Sequence, residues 1–492
     1  MTRLVGGVAL FCVAVAGAEG PRSDAVAAPR PKGGEWMGVY LMGKKVGYDF
    51  VDLAPDPADP SRVISTNLFY FKANLSGKAS ERRRLETRTY EAKPNGRLVS
   101  VSIEQTGDGG DQLLQGTATA EGLSFIIKRP GQPNQVKSTS WKMNPALRGK
   151  SLAPPREHVE DADQVRVALA RKAPVHGTIL DGIDLEPFDV TTTPEKPEER
   201  LIRGVKVKLL HARTVSEKDK VPIDTYVTEA GETVEVDLGP TMRALAEPEA
   251  VAKRLEDVDV FALTRIVLPR RLPDDVRKVP NQVTLVLTGL PDAFLHNDYR
   301  QSFKRLDADR VAVTVTAAAP AHPAPVKFPL ADPAGGENLK NALAMDLDNP
   351  DIRAAARTAV GGEKDAYAAA KRIVAWVGSH MTKAYGSSSD RASDALRRMR
   401  GDCTEHSLLS VAMMRSVGIP AKRIDGLVYV DNSSGVPALL WHEWVEAYVG
   451  QWTQLDPTFE EPVTDAAHLA LGEETQEKIV PLIGQLKVVE VP

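Results

Sequence analysis

Short apolar runs that alternate with polar residues dominate the larger, N-terminal part of the chain. Within residues 35–145 these runs are separated by turn signals, of which Pro94-Asn95-Gly96 is a strong hairpin signal. Residues 150–325 continue the pattern with some helix. A period of two residues is typical of strands that bury one face. We therefore predict an antiparallel β domain over residues 35–145 and a second β-rich region over residues 150–325.

The apolar period changes to helical spacing in the last part of the chain, residues 340–492. One apolar stripe runs through residues 363–381, and a second follows Cys403 and stops at the next glycine, which is a common helix end. Two strands are predicted next, over residues 439–449 and 452–455. A C-terminal domain of helices and antiparallel strands, preceded by mainly antiparallel β domains, predicts the α+β fold class.

The N-terminal segment has the features of an export signal. Arg3 precedes a short apolar run, and Ala16-Gly17-Ala18 offers a small-residue cleavage site. Residues 1–18 are therefore predicted to be a signal peptide that sends the protein to the periplasm or another extracytoplasmic space, with an uncleaved anchor as the alternative. Residues 19–34 are rich in alanine, proline and glycine and are predicted to be a disordered tether. No other stretch is apolar enough to predict a transmembrane segment.

Composition narrows the function classes. The formal net charge of −4 at pH 7 argues against a nucleic-acid-binding protein, which would need a basic surface. The chain has two cysteines, Cys12 and Cys403, and cleavage of the signal peptide would remove the first. A lone cysteine in an oxidising compartment cannot form an internal disulfide, so Cys403 is either an idle buried thiol or a working one.

Three residues with complementary chemistry follow one another in the predicted C-terminal domain. Cys403 lies at the predicted start of a helix, where the positive end of the macrodipole favours a thiolate and predicts a lowered pKa. His442 lies in one predicted strand and Asp456 ends the next, so two neighbouring strands could bring them together. Nucleophile, base and orienting carboxylate are typical of covalent catalysis. Glu443 and Glu446 remain alternatives to Asp456, and alternation places Glu446 on the His442 face.

These residues belong to motifs that resemble the core of the transglutaminase-like superfamily. The resemblance extends over residues 340–470 and implies a papain-like domain, in which Cys403 is the nucleophile, His442 the base and Asp456 the residue that orients the base. The motifs occur in the order of the family and are Gly401-Asp402-Cys403, residues 415–422, Trp441-His442-Glu443-Trp444 and Asp456-Pro457-Thr458.

The resemblance also implies a function, that of a cysteine enzyme acting on amide bonds through a thioester intermediate. Water would release the thioester in a peptidase or amidase, and a second amine would release it in a protein-glutamine gamma-glutamyltransferase. We expect hydrolysis, because water is always present whereas amine transfer needs an acceptor site. The expected substrate is a protein or peptide, with cell-wall peptides as one candidate. The alternative is a protein-binding module that keeps the fold without the catalysis.

A zinc site is the chemical rival of a catalytic thiol. Cys403, His406 and His442 supply suitable ligand atoms. However, His406 lies three residues after Cys403 on the predicted helix, and no second closely spaced pair of ligands exists. We therefore predict no metal and no cofactor. His468 lies beyond the predicted strands and is assigned no role.

Overall fold

The computed structural model describes most of the chain after the predicted signal peptide, and residues 1–18 lie outside the described residues. The described residues are 22–75, 78–108, 110–149, 155–182, 185–202, 204–218, 220–239, 241–317, 324–384, 391–431, 435–473 and 479–492. No helix within these ranges is long and apolar enough to span a membrane.

One antiparallel sheet of fourteen strands takes up residues 35–246. The chain runs outward through the first eight strands and returns through the other six, so that the last strand pairs with the first. In chain order, strands β1 to β14 are Glu35–Leu41, Lys44–Asp56, Asp59–Leu75, Lys78–Glu91, Leu98–Gly107, Gln112–Ala118, Gly122–Lys128, Gln135–Ser140, Val175–Leu180, Pro187–Ile202, Val205–Ser216, Pro222–Val227, Thr233–Asp237 and Met242–Ala246.

The boundary predicted between residues 145 and 150 separates two halves of this one sheet, which differs from the two successive β domains that we expected. Pairing of β1 with β14, as between Val39 and Ala244, joins the halves. Such long-range pairing leaves no local mark in the sequence. The predicted alternation itself is present, because Leu123, Phe125 and Ile127 of β7 are buried while the residues between them are exposed.

Part of the predicted tether is ordered in the structure. Ser23 caps a short helix, α1 (Asp24–Ala27), and Ala25 is fully buried in the same cluster as Val159 and Val167. Val167 belongs to helix α2, Gln164–Arg171, which packs against the first sheet. The structure of residues 22–34 therefore corrects the prediction of a disordered segment over residues 19–34. The small side chain of Ala25 fits into a hydrophobic core, and an alanine-rich composition does not reveal such a contact.

Within the described residues, the C-terminal part of the protein combines six helices with three smaller sheets. Helices α3 to α8 are Glu249–Ala252, Val260–Thr264, Pro350–Val360, Ala366–His380, Ala392–Arg398 and Cys403–Ser416. Strands β15 to β25 are Ile266–Val267, Asn281–Thr288, Gln301–Arg305, Arg310–Ala317, Thr382–Lys383, Arg400–Gly401, Ala421–Asp431, Pro437–Tyr448, Trp452–Leu455, His468–Glu473 and Lys487–Glu490.

The sheet that carries the candidate site has the strand order β15-β22-β21-β24, with β23 beside β22. A second sheet has the order β17-β18-β16-β25, and β19 pairs with β20. Strands β15 to β18 come from the region predicted as residues 150–325. That region is therefore shared between the first sheet and the C-terminal part, where Ile266 pairs with Leu439.

Helix α8 is the central element of the C-terminal core. It packs against α5, α6, α7 and the strands β21 and β22, and Leu409, Ala412 and Met413 are fully buried. The helix begins at Cys403 and the strand β23 covers residues 452–455, both as predicted. Helices packed on an antiparallel sheet, preceded by a large antiparallel β structure, confirm the α+β fold class.

Candidate active site

Cys403 is the first residue of α8, and its neighbours fix where the helix begins. The Asp402 carboxylate accepts a hydrogen bond from the backbone N–H of Thr404 (3.0 Å), and the Glu405 carboxylate accepts one from the N–H of Asp402 (2.8 Å). This reciprocal cap satisfies backbone donors that a helix start leaves free. Because Leu409 anchors the next turn in the core, Cys403 is held at the end of a rigid helix.

The start of α8 lies against β22, the strand that carries His442. Ser407 Oγ donates to the backbone carbonyl of Glu443 (3.1 Å), and both residues are buried. Glu443 also forms a backbone hydrogen bond to Cys403, and the charge of Asp456 acts on the same thiol. The structure therefore brings the predicted nucleophile to the part of β22 that carries the predicted base.

The Cys403 thiol has a raised pKa, which is opposite to the direction predicted from the helix start. Burial is the largest cause, and the carboxylates of Asp402 and Glu443 act in the same direction. The backbone hydrogen bond from Glu443 lowers the pKa, but by less. Cys403 nevertheless remains partly exposed to solvent. Burial and the neighbouring carboxylates therefore favour the protonated thiol over the thiolate.

His442 and Asp456 form a buried hydrogen-bonded pair, as predicted. His442 Nε2 lies 2.7 Å from Asp456 Oδ2, and the two residues are 8% and 0% exposed. The other oxygen, Asp456 Oδ1, accepts from the backbone N–H groups of Thr458 (2.6 Å) and Phe459 (3.2 Å). Burial alone would raise the pKa of Asp456. The charges and hydrogen bonds of His442 and of a second histidine, His468, hold it well below its usual range.

This pairing determines which nitrogen of His442 can act as a base. An ionised carboxylate only accepts hydrogen bonds, so His442 Nε2 carries the proton that it donates to Asp456. In the neutral ring the lone pair is then on Nδ1. His442 Nδ1 is therefore the nitrogen that keeps a lone pair when the ring is neutral.

The two alternative carboxylates are engaged elsewhere. Glu446 lies 3.1 Å from the ammonium of Lys422, and Glu443 lies 3.5 Å from the guanidinium of Arg423. Alternation along β22 places Glu446 on the His442 face, as expected, but further along the strand. The geometry therefore favours Asp456 as the orienting carboxylate.

His468 is a member of the site that the sequence did not reveal. Its Nε2 lies 2.9 Å from Asp456 Oδ2, and its Nδ1 lies 2.7 Å from Asp465 Oδ1. Burial opposes the charged form, but the hydrogen bonds to the two carboxylates raise the pKa of His468 to about 9. His468 is the first residue of β24, and its position beside Asp456 depends on the pairing of β24 with β21. No local spacing in the sequence could have indicated this contact.

Within the described residues, two overlapping clusters bring together side chains of the types that can ligate a metal. His442, Asp456 and His468 form one, and Glu461, Asp465 and His468 form the other, with ligand atoms within 4.8 Å of one another. His468 has a carboxylate at each nitrogen, so both nitrogens are donors and neither offers a lone pair to a metal. Neither cluster contains Cys403.

The predicted zinc partner His406 has a separate hydrogen bond within its own helix. His406 Nδ1 lies 2.6 Å from the backbone carbonyl oxygen of Asp402, which can only accept a hydrogen bond. Nδ1 is therefore the protonated nitrogen, and burial lowers the pKa of His406. The structure thus gives His406 a buried, neutral position at the start of α8.

Phe459 covers the ring of His442 on the solvent side. The two ring centroids are 5.2 Å apart, and Phe459 is 37% exposed. The ammonium of Lys383 lies 5.4 Å from the centroid of the same phenyl ring. An apolar ring with a positive charge beside it therefore borders the imidazole of His442.

Comparison with known proteins agrees with this geometry in the C-terminal part. Residues 353–457 match the family model of the transglutaminase-like superfamily. An uncharacterised protein of Mycobacterium leprae (strain TN), ML0607, is 29% identical over 103 residues, which are 19% of this chain. The match spans 37% of the length of that relative.

Two solved structures are similar in part. A cysteine protease candidate from Cytophaga hutchinsonii is 15% identical, with 46% of this chain and 79% of that chain covered and a TM-score of 0.27. The periplasmic domain of TgpA from Pseudomonas aeruginosa, bound to ethylmercury, is 16% identical, with 40% and 89% covered and a TM-score of 0.25.

The family match contains Cys403, His442 and Asp456 and ends before His468. The resemblance stated from the sequence motifs is thereby confirmed. Residues 353–457 of this chain thus match the transglutaminase-like superfamily.

Proposed function

We propose that the protein is an exported cysteine enzyme that cleaves amide bonds through Cys403, His442 and Asp456. The buried 2.7 Å hydrogen bond between His442 and Asp456, next to the helix start that presents Cys403, is the observation that carries the proposal. It leaves one lone pair on His442, and helix α8, which begins at Cys403, packs against the strand that carries His442. A nucleophile, a base and a group that orients the base are the parts that acyl transfer requires.

The first half of the reaction forms a thioester. Cys403 Sγ attacks the carbonyl carbon of the amide while its proton moves to His442 Nδ1. The carbonyl oxygen becomes an oxyanion, for which the backbone N–H of Cys403 at the helix N-terminus is the first candidate donor. The C–N bond then breaks, His442 Nδ1 returns the proton to the leaving amine, and the acyl group stays on the sulfur.

The second half of the reaction releases the acyl group. Water attacks the thioester while His442 Nδ1 takes one of its protons, and that proton returns to the departing sulfur. The products are a carboxylic acid and the original thiol. Attack by an amine in place of water would give a new amide and make the protein a transferase. We favour hydrolysis because water is always present, whereas amine transfer needs a dedicated acceptor site.

Export is part of the proposal and rests on residues 1–18, where Arg3, the apolar run and Ala16-Gly17-Ala18 occur in the order of a signal peptide. The substrate class that fits an extracytoplasmic cysteine enzyme is a protein or peptide, including the peptides of the cell wall. N-terminal sequencing of the protein from a periplasmic fraction tests export, and a mature chain that still begins at Met1 in the cytosol would contradict it.

A substrate panel tests the chemistry. The full chain is incubated with peptide libraries and cell-wall peptides, with and without a labelled primary amine, and products are identified by mass spectrometry. We expect new carboxyl termini from the wild type and a transient acyl adduct on Cys403. Cys403→Ala should abolish both, whereas Cys12→Ala is the matched control and should change neither. Incorporation of the amine would indicate transfer, and binding without turnover would indicate the protein-binding module.

A further inference from the structure

His468 occupies a position behind the carboxylate of the proposed triad. It is fully buried, and its ring centroid is 5.7 Å from that of His442. Asp456 Oδ2 lies between the two imidazoles, at 2.7 Å from His442 Nε2 and 2.9 Å from His468 Nε2. One carboxylate oxygen thus accepts hydrogen bonds from two histidines, while the other oxygen accepts from two backbone N–H groups.

The hydrogen bonds of His468 determine its charge. A neutral imidazole has one donor nitrogen and one acceptor nitrogen. His468 faces Asp456 Oδ2 with Nε2 and Asp465 Oδ1 with Nδ1, and an ionised carboxylate cannot donate. Both nitrogens must therefore carry hydrogen, which makes His468 an imidazolium. The pKa of His468, raised to about 9 by these carboxylates against the effect of burial, agrees with this geometry.

The other charged groups around His468 support this state. Glu461 Oε2 lies 3.8 Å from His468 Nδ1. The Arg277 guanidinium lies 2.8 Å from Asp465 and 3.4 Å from Glu461. These two carboxylates therefore interact with Arg277 as well as with His468. The buried Arg300 guanidinium donates to the backbone carbonyl oxygens of Asp465 (2.5 Å) and His468 (3.5 Å).

We propose that His468 is a positioning residue of the site, an imidazolium that holds Asp456 from behind and offsets its negative charge, so that His442 remains a neutral base in the resting enzyme. This inference rests on the proposed function, in which His442 receives the proton of Cys403. His468 itself touches neither the thiol nor the substrate.

The protonation of the Cys403 thiol explains why a positive charge behind Asp456 would help. A buried carboxylate alone at His442 Nε2 would stabilise a charged His442, and a charged imidazole could not accept the proton of Cys403. The Cys403 thiol is protonated at rest because burial and carboxylates raise its pKa, so the enzyme needs a free base. The positive charge of His468 opposes a second positive charge on His442, while its hydrogen bond fixes the orientation of Asp456.

The experiment follows the histidines by NMR with ¹⁵N-histidine in the full chain, and His442→Gln and His468→Gln identify the two signals. At pH 7 we expect both nitrogens of His468 to be protonated, and His442 to be neutral with the proton on Nε2. In His468→Gln, Asp456 Oδ2 loses one of its two histidine donors, so we expect the ¹H and ¹⁵N signals of the His442 Nε2–H group, which donates to the same oxygen, to shift. His176→Gln is the control, because His176 is exposed on the first sheet, and it should leave these signals unchanged.

Two results would overturn the inference. One is a neutral His468 at pH 7 in the wild type. This measurement needs no variant, so it remains decisive even if His468→Gln does not fold. The other is an unchanged signal of the His442 Nε2–H group in a folded His468→Gln protein. Asp465→Asn gives a second perturbation, since it keeps the ring but removes the acceptor at Nδ1 and should lower the His468 midpoint. These readouts do not depend on turnover, so an inactive protein with a charged His468 would contradict the proposed function and leave the charge assignment intact.

Discussion

Replacement of Asp456 by asparagine tests how firmly the buried carboxylate holds the site together. Asp456 accepts two hydrogen bonds from histidines and two from backbone N–H groups. The oxygen of an asparagine could keep the backbone bonds, but its amide nitrogen cannot accept from His442 or His468. Two charge-assisted bonds are lost at about 1.5–3 kcal/mol each, which agrees with about 3–5 kcal/mol for breaking a buried ion pair.

The loss of stability caused by Asp456→Asn should be fully present at neutral pH. The pKa of Asp456 is held well below its usual range in the folded protein. The carboxylate therefore contributes its full stabilisation above the unfolded-state pKa of about 3.9, and this stabilisation is lost only as the pH falls through the folded-state pKa. Urea unfolding at pH 7, followed by tryptophan fluorescence, should show a free energy of unfolding about 3–5 kcal/mol lower for Asp456→Asn. Glu460→Gln, an exposed change in the same turn, is the control. A loss below about 1 kcal/mol, the scale of an ordinary hydrogen bond, would refute the reasoning.

The same substitution has a kinetic consequence. If the thiol had a lowered pKa, the ion pair with His442 would exist before substrate binds, and Asp456 would matter less than Cys403 or His442. The raised pKa of Cys403 removes that premise. We therefore expect Asp456→Asn to reduce kcat severely, approaching the roughly 10⁴-fold loss seen when a serine-protease triad is left with the wrong histidine tautomer.

Three further predictions concern stability around the site. Leu409→Ala should cost about 2–5 kcal/mol in urea unfolding because it leaves a cavity in the core, whereas Leu201→Ala, on a 69% exposed side chain, should stay within about 0.5 kcal/mol. Phe459→Ala should remove a ring contact with His442 worth about 0.5–1.5 kcal/mol, and an unchanged melting temperature would contradict this packing role. The raised pKa of His468 stabilises the fold fully below its unfolded value of about 6.5. This contribution is lost as pH rises through about 9, so the melting temperature of the wild type should fall there more than that of His468→Gln.

Local patterns in the sequence were sufficient to predict the central elements of the site. The apolar spacing after Cys403 predicts a helix whose first residue is the cysteine, and the predicted strand over residues 452–455 ends one residue before Asp456. Alternation along β22 then places His442 beside Asp456 once β22 and β23 pair, with Val445 opposite Leu455. Period, caps and turns act over a few residues, which is why a single sequence reveals them.

Contacts between distant segments were beyond these patterns. Pairing of β1 with β14 merges two predicted domains into one sheet, and pairing of β21 with β24 brings His468 to Asp456. The direction of the Cys403 pKa also depends on tertiary structure. The helix start favours a thiolate, but burial and the carboxylates of Asp402 and Glu443 outweigh that effect. A helix predicted from the sequence implies a macrodipole, but the burial of a thiol depends on tertiary packing and cannot be inferred from the sequence pattern.

The rate at which iodoacetamide alkylates Cys403 tests the central claim most directly, because it requires no knowledge of the substrate. Peptide mapping of the full chain separates Cys403 from Cys12, and the rate is measured against pH for the wild type and for His442→Gln. The account predicts alkylation at pH 7 that depends on His442 and slows by about 10²-fold in the variant, the lower end of a general-base contribution. A single titration near 8.5, the value of an unperturbed thiol, with the same rate in wild type and His442→Gln, would contradict it.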